Sequence, residues 1–278
     1  MRKNLLFLTL LCFLFTLSAS AQSFLAKQLR NPRFETDYEL NNNKLKKEFE
    51  KKGLTYPANY IFIRSFKYDS RLEVWVKDKA ADTFQLFKNY NVCALSGYLG
   101  RKLQQGDSQV PEGFYYINRF QPNSAYHLSL KINYPNFSDL KNTPYEDPGG
   151  GIYIHGSCVT VGCIPIRNEQ IDEVYLLAVL ARNAGQSFIP VHVLPVDFDN
   201  NKSVKYLDKN YEKDHPLREF WSKLKIAYHY FNKTHKLPLV LYDGSGDYVV
   251  KKSRKQTAIR KNYSKKNYEA MKKGPMLN

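Results

Sequence analysis

One imidazole and one thiol stand close together in the run Tyr153-Ile154-His155-Gly156-Ser157-Cys158-Val159-Thr160-Val161-Gly162-Cys163-Ile164-Pro165-Ile166, with seven residues between His155 and Cys163. A thiol of ordinary pKa, about 8.5, is mostly protonated at neutral pH and is a poor nucleophile until a base takes its proton. An imidazole can do so, and seven residues are enough for a tight loop that folds back on itself. Gly156 follows the His and Gly162 precedes the Cys, so the backbone can approach a substrate carbonyl closely at both. The amides around Cys163 could then hold an oxyanion. Gly149-Gly150-Gly151 leaves further room just upstream. These residue types in this spacing point to a cysteine acyl-transferase or hydrolase.

Two other readings of the cluster compete. His155, Cys158, Cys163 and Cys93 are the right donor types for zinc, but His-x2-Cys-x4-Cys is not a usual zinc spacing and the fourth donor is remote. A binding module that keeps the fold without catalysis is the second, and the retention of both His155 and Cys163 argues against it.

At these residues the chain resembles the L,D-transpeptidases of the YkuD type. Their signature is a His-Gly pair, a loop and a Gly-Cys pair, then a helix start containing Asn-Glu. Here those are His155-Gly156, Gly162-Cys163 and Arg167-Asn168-Glu169. The short loop and the extra Cys158 resemble the YafK-type branch. Further blocks extend the resemblance over roughly residues 58–197: Ile63-Arg64-Ser65-Phe66-Lys67, Leu72-Glu73-Val74-Trp75, Gly97-Tyr98-Leu99-Gly100, Gly106 to Gly113, and Tyr134-Pro135-Asn136.

The resemblance implies a β-sandwich or barrel catalytic domain that uses no cofactor or metal. Cys163 would attack an amide of a peptidoglycan stem peptide beside a diaminopimelate or D-amino acid centre, and His155 would relay protons. The acyl group would pass to an amine or, as an alternative, to water. The base would be oriented by backbone near Gly156-Ser157, so no acidic third member is needed. His127, Tyr134, Tyr153 and Arg167 are the candidate substrate contacts. The wider family has a His before the Gly-Cys pair and an Arg two residues after the Cys, where this chain has Val161 and Pro165. That departure bears on substrate geometry and on whether the acyl group is transferred or hydrolysed.

The elements that position this loop are legible around it. Tyr60-Ile61-Phe62-Ile63, Leu72 to Val76, Phe84 to Phe87 and Val92 to Leu95 are short, β-branched and aromatic, and a further pair is expected at Gly113 to Asn118 and Tyr126 to Ile132. Closely spaced strands without intervening helices indicate a sandwich or barrel. Residues 133–151 read as a long loop leading into the His strand. Asn168 is expected to cap a helix running to Gly185, followed by a closing strand from Phe188 to Pro195 with a structural His192. Residues 22–57 form an N-terminal segment with one short helix, about Asn43 to Lys52. Residues 198–250 read as an α+β extension, with a helix starting near Pro216 and a strand pair about Gly244-Ser245-Gly246.

At 278 residues the chain is long enough for one sizeable domain with extensions. Residues 1–21 have the pattern of a secretory signal: Arg2 and Lys3, the apolar run Leu5 to Leu17, then Ala19-Ser20-Ala21. The run is short of the ~20 residues that span a bilayer, and Cys12 lies inside it, not at its end, so neither a membrane anchor nor a lipoprotein is expected. The expected location is the periplasm or cell envelope. The net charge of +16 favours anionic partners. Export, with no nucleic-acid-binding signature, excludes nucleic acid and leaves stem peptides, anionic envelope polymers or a wall-linked protein. The basic tail at 251–278, with ten Lys or Arg and one Glu, suits an anionic surface. Three cysteines lie beyond the signal: a Cys93–Cys158 bridge would spare Cys163, and Cys158 as a small buried hydrophobe is the alternative.

Overall fold

Alternation within one strand sets the architecture. In the computed structural model, which describes residues 22–252, β1 (Tyr60–Phe66) turns Ile61 and Ile63 to one side and Phe62 and Phe66 to the other, all fully buried. A strand apolar on both faces needs cover on both. It lies inside an eight-stranded sheet of order β3-β2-β1-β8-β4-β5-β6-β7. The others are β2 (Arg71–Lys77), β3 (Gln85–Asn91), β4 (Gly113–Ser124), β5 (His127–Ile132), β6 (Tyr153–His155), β7 (Ile164–Pro165) and β8 (Ile189–Leu194). The β1/β8 and β6/β7 pairs are parallel and the rest antiparallel. Val92, just past β3, bridges Ile166, just past β7, so the two outermost strands meet and the sheet closes on itself at that end.

The Ile61/Ile63 face packs against helices α1 (Phe24–Gln28), α2 (Pro32–Lys51) and α4 (Asn168–Asn183), with α3 (Phe137–Asn142) lying earlier in the chain, between β5 and β6. Helix α4 is enclosed, burying Ile171 and the whole run Glu173–Ala181. The opposite face carries α5 (Asn201–Tyr211), α6 (His215–Thr234) and the hairpin β9 (Leu239–Tyr242) and β10 (Tyr248–Lys251). His192 is sealed there between the Phe62 and Phe114 rings, and burial pushes its pKa down to about 3.

Several sequence expectations are corrected. The N-terminal helix is twenty residues long, not ten: Asn31 caps it, Pro32 occupies its first position, and Phe34, Leu45 and Phe49 enter the main core. The expected strand at Val92–Leu95 reduces to the single Val92 bridge, because the chain there turns to close the sheet. The loop at 133–151 contains α3, whose Asn136/Asp139 capping box fits the spacing known to start helices. Helix α4 is capped from Arg167, and Asn168 is its first helical residue. The secretory signal and most of the basic tail lie outside the described residues.

A buried ion pair ties the loop between β3 and β4 to the C-terminal helix. The Lys67 ammonium lies 2.9 Å from the Glu112 carboxylate and donates to the carbonyls of Tyr98, Gly100 and Val110. Glu112 also accepts from the Gly100 amide at 2.8 Å and from Trp221 Nε1 at 2.6 Å. Burial pulls the Lys67 pKa down, with Glu112 opposing it. Removing one partner strands a charge. Glu112→Ala is therefore expected to cost about 3–5 kcal/mol in denaturant unfolding; a loss below about 1 kcal/mol, the size of an exposed pair, would contradict the role assigned to this cluster.

Candidate active site

The register of two short strands decides where the candidate groups point. Ile154 in β6 is paired with Ile164 in β7, and both are core residues. Side chains alternate along a strand, so the neighbours of these two isoleucines project from the opposite face. That face carries Tyr153 and His155 of β6 and Pro165 of β7, and Cys163 is the residue just before β7. The thiol thus comes level with Tyr153, one strand over from His155 and two residues along.

Cys163 is a free, half-buried cysteine. Its thiol is directed to the Gly151 carbonyl oxygen at 3.6 Å, and the Tyr153 amide hydrogen-bonds to the sulfur. Burial raises the thiol pKa above its ordinary value, while the Tyr153 N–H and the Lys102 charge oppose the shift. His155 is 1% exposed, and its Nδ1 lies 2.5 Å from the Gly156 carbonyl oxygen. A carbonyl can only accept, so Nδ1 carries the proton and, in the neutral ring, Nε2 keeps its lone pair. Burial lowers the His155 pKa, with the Gly156 bond opposing. Both shifts disfavour charge, so the resting pair is neutral thiol and neutral imidazole.

The connecting loop is fixed at each end. Ser157 takes a left-handed conformation (φ 65°), and its amide donates to Asn168 Oδ1 at 2.9 Å. A Cβ on Gly156 would lie 2.6 Å from that same oxygen and 2.9 Å from His127 Cβ, so the position admits only glycine. At the other end, Gly162 has φ 131° and sits against the Gln109 carbonyl, where an added Cβ would come within 3.1 Å. The Gly162 amide donates to Thr160 Oγ1 at 3.1 Å, so in this conformation it serves the loop and leaves the Cys163 amide beside the sulfur. Cys158, at the middle of the loop, is exposed and disulfide-bonded to Cys93. The Cys93 amide donates to the Pro165 carbonyl at 3.1 Å, so the bridge fastens the loop where the sheet closes. Two of the four donors considered for zinc are spent in that bond.

The remaining candidates separate. Tyr153 stays half-buried on the site face. Tyr134 is buried, and its hydroxyl donates toward the Lys102 and Pro148 carbonyls, which gives it to the scaffold. His127 has φ 70° and turns its Nε2 to Asp172 Oδ1 at 2.5 Å, on α4. Arg167 is exposed at the α4 N-terminus. Three residues not picked from sequence matter more. The Tyr126 ring lies 4.8 Å from the His155 ring, tilted by 33°, and covers it. Asn168 holds the turn, and the Lys102 charge acts on the thiol. Asn168 was legible as a helix cap and within the Asn-Glu signature but not as the hold on this turn, and Tyr126 and Lys102 carry no sequence signal.

Comparison with known proteins follows this geometry. The model of the YkuD family, L,D-transpeptidase catalytic domain, matches residues 58–193, which include His155 and Cys163. YafK of Escherichia coli (strain K12), which is named provisionally as an L,D-transpeptidase, is 34% identical over 208 residues, covering 74% of this chain and 78% of YafK. YafK of Escherichia coli O157:H7 gives the same figures. Among solved structures, the helical cell shape determining protein Pgp2 of Campylobacter jejuni is 23% identical with a TM-score of 0.39, covering 50% of this chain and 48% of that one, so the chain spans about half its length. Bd1075 of Bdellovibrio bacteriovorus is 22% identical with a TM-score of 0.35, covering 64% of each chain. At these scores the structural likenesses carry no argument.

A neutral resting pair has a direct consequence. Iodoacetamide alkylation of Cys163, followed on the peptide containing it, should be slow through neutral pH and rise only above pH ~8.5, the ordinary thiol range. A plateau already reached at pH 6 would mean a standing thiolate–imidazolium pair and would contradict the geometry described.

Proposed function

We propose that this chain, which belongs to the YkuD-type L,D-transpeptidase family, is a cysteine acyl-transferase acting on peptidoglycan stem peptides. The observation that carries the proposal is the paired register of β6 and β7, which sets Cys163 beside the strand that bears a tautomer-fixed His155. The amide would lie next to a D-configured centre of the stem peptide, with Tyr153 beside it.

His155 Nε2 takes the thiol proton as Sγ attacks the carbonyl carbon, so charge separates only when the substrate is in place. The negative oxygen is received by the Cys163 amide, joined by that of Gly162 if it leaves Thr160. Collapse breaks the C–N bond, and the imidazolium returns its proton to the departing amine, leaving a thioester on Cys163. An acceptor amine then attacks the thioester, loses its proton to His155 and restores the thiol. Gly156 keeps the imidazole in the required tautomer throughout, as a carboxylate does in other triads.

Hydrolysis of the same thioester is the second reading. It is supported by the partial exposure of Cys163, which lets water reach the sulfur, and by Pro165 standing where the wider family has an Arg. A non-catalytic wall-binding role gains nothing from a protonated Nδ1 and an open Nε2. The Cys93–Cys158 bridge supports an exported protein working in the periplasm or cell envelope, because disulfides persist in oxidising compartments. Among the described residues no helix is long and apolar enough to cross a membrane.

The test is to incubate the protein with peptidoglycan and defined stem peptides and to read the products by mass spectrometry. New peptide–amine bonds are expected, whereas water-terminated fragments would establish the hydrolytic reading. Cys163→Ala and His155→Ala should each abolish turnover while keeping the native circular dichroism spectrum, and surviving activity in either would overturn the assignment. The acid limb of kcat/KM should fall below pH ~6.5, because burial lowers the His155 pKa from that ordinary value and the base must be neutral to act.

A further inference from the structure

A cavity among the described residues has no residue of the loop that carries Cys163 in its lining. It occupies about 480 Å³ between the 97–103 segment, the end of α3, the start of α6 and the β9–β10 turn. That volume falls within the ~300–1,000 Å³ of small-molecule clefts. Tyr98, at 75% exposure, stands at its edge with Tyr211, and Phe220 lines it too.

Its polar groups come from separate elements and are of both kinds. Arg101 lies with its guanidinium 3.7 Å from the Phe220 ring centroid, is 13% exposed, and donates to Ser138 at 3.2 Å. Its other contact, to Asp247, is loose at 3.9 Å, so this fixed donor fork keeps hydrogen-bonding capacity toward the cavity. Asn142, Asp214 and Asp247 add amide and carboxylate groups. Arg101 and Lys223 are set against Asp214, Glu219 and Asp247, so the lining lacks the strong positive balance of the chain as a whole. A lining of mixed sign selects neither an anion nor a cation. Planar donors and acceptors beside the exposed Tyr98 ring suit a ligand with hydroxyl groups around its rim and an apolar ring face.

We propose that this cavity is a saccharide-binding site that holds the glycan to which the stem peptide is attached. The sugar's identity rests on the peptidoglycan reading above; the saccharide class rests on the cavity alone. The site is coupled to the nucleophile loop through one residue. Gln109 holds the Tyr98 amide at 2.8 Å and the Gly100 carbonyl at 3.0 Å through its side chain, and its own carbonyl abuts Gly162. The Lys67–Glu112 pair fixes the same segment from beneath. A glycan seated against Tyr98 would thus be registered to the thiol by a rigid segment.

Titrating the full chain with the tetramer of N-acetylglucosamine in a calorimeter tests this directly. Saturable binding is expected, weakened at least tenfold in Tyr98→Ala and largely restored in Tyr98→Phe, with Cys163→Ala binding as the native chain does. No heat with the native chain, or equal binding by Tyr98→Ala, would overturn the site. Turnover of a sugar-free stem peptide by the native chain is measured in parallel. Sugar binding without turnover would sink the catalytic reading and leave this site standing, while turnover without sugar binding would do the reverse.

Discussion

The pairing of Ile154 with Ile164 is the constraint on which the site depends. Two core isoleucines, held side by side in parallel strands, turn His155 to the other face and bring Cys163, just before β7, level with Tyr153. Shifting the register by one residue would bury the thiol and expose an isoleucine, so hydrophobic burial itself enforces the arrangement. A strand of two residues cannot hold such a register alone. The Val92–Ile166 bridge, the Cys93 amide on Pro165 and the Cys93–Cys158 disulfide hold it from outside, all at the seam where the sheet closes.

Around that seam, burial determines the electrostatics. It lowers the imidazole pKa and raises that of the thiol, so both groups are disfavoured in their charged forms. The surroundings keep it so. Tyr126 covers His155, and its turn is held by Arg33 of α2 bonding to the Ser124 and His127 carbonyls and by His127 reaching Asp172 of α4. The N-terminal helix therefore reaches the candidate base through two contacts. On the opposite side, Gln109 and the Lys67–Glu112 pair brace the segment that presses on Gly162. The site lies between two braces, each from an element distant in sequence.

Much of this was legible in the chain, for identifiable reasons. The His155-Gly156 and Gly162-Cys163 pairs stand out by type and spacing as a candidate site, and both glycines are required by close approaches. Strand identity followed from β-branched and aromatic runs, and the order of many short blocks carried the family. What was missed depends on tertiary context. Val92–Leu95 has the composition of a strand but lies where the sheet closes and the chain turns away. Asn168 looks like a cap and acts on a loop eleven residues back. Tyr134 carries a motif signal, yet its hydroxyl is consumed by two carbonyls, whereas Tyr126, with no signal, lies against the imidazole. Side-chain partners across such distances are set by packing, which local pattern does not encode.

The central claim is that the Cys163 sulfur carries the acyl group between the two halves of the reaction. Rapid acid quenching of the native chain during turnover of a defined stem peptide, with intact-protein and peptide mass spectrometry, tests it most directly. The account predicts an adduct of the acyl fragment's mass, as a thioester on the peptide containing Cys163, that disappears as acceptor amine or water is consumed. Turnover with no adduct at any quench time, or an adduct on another residue, would contradict it.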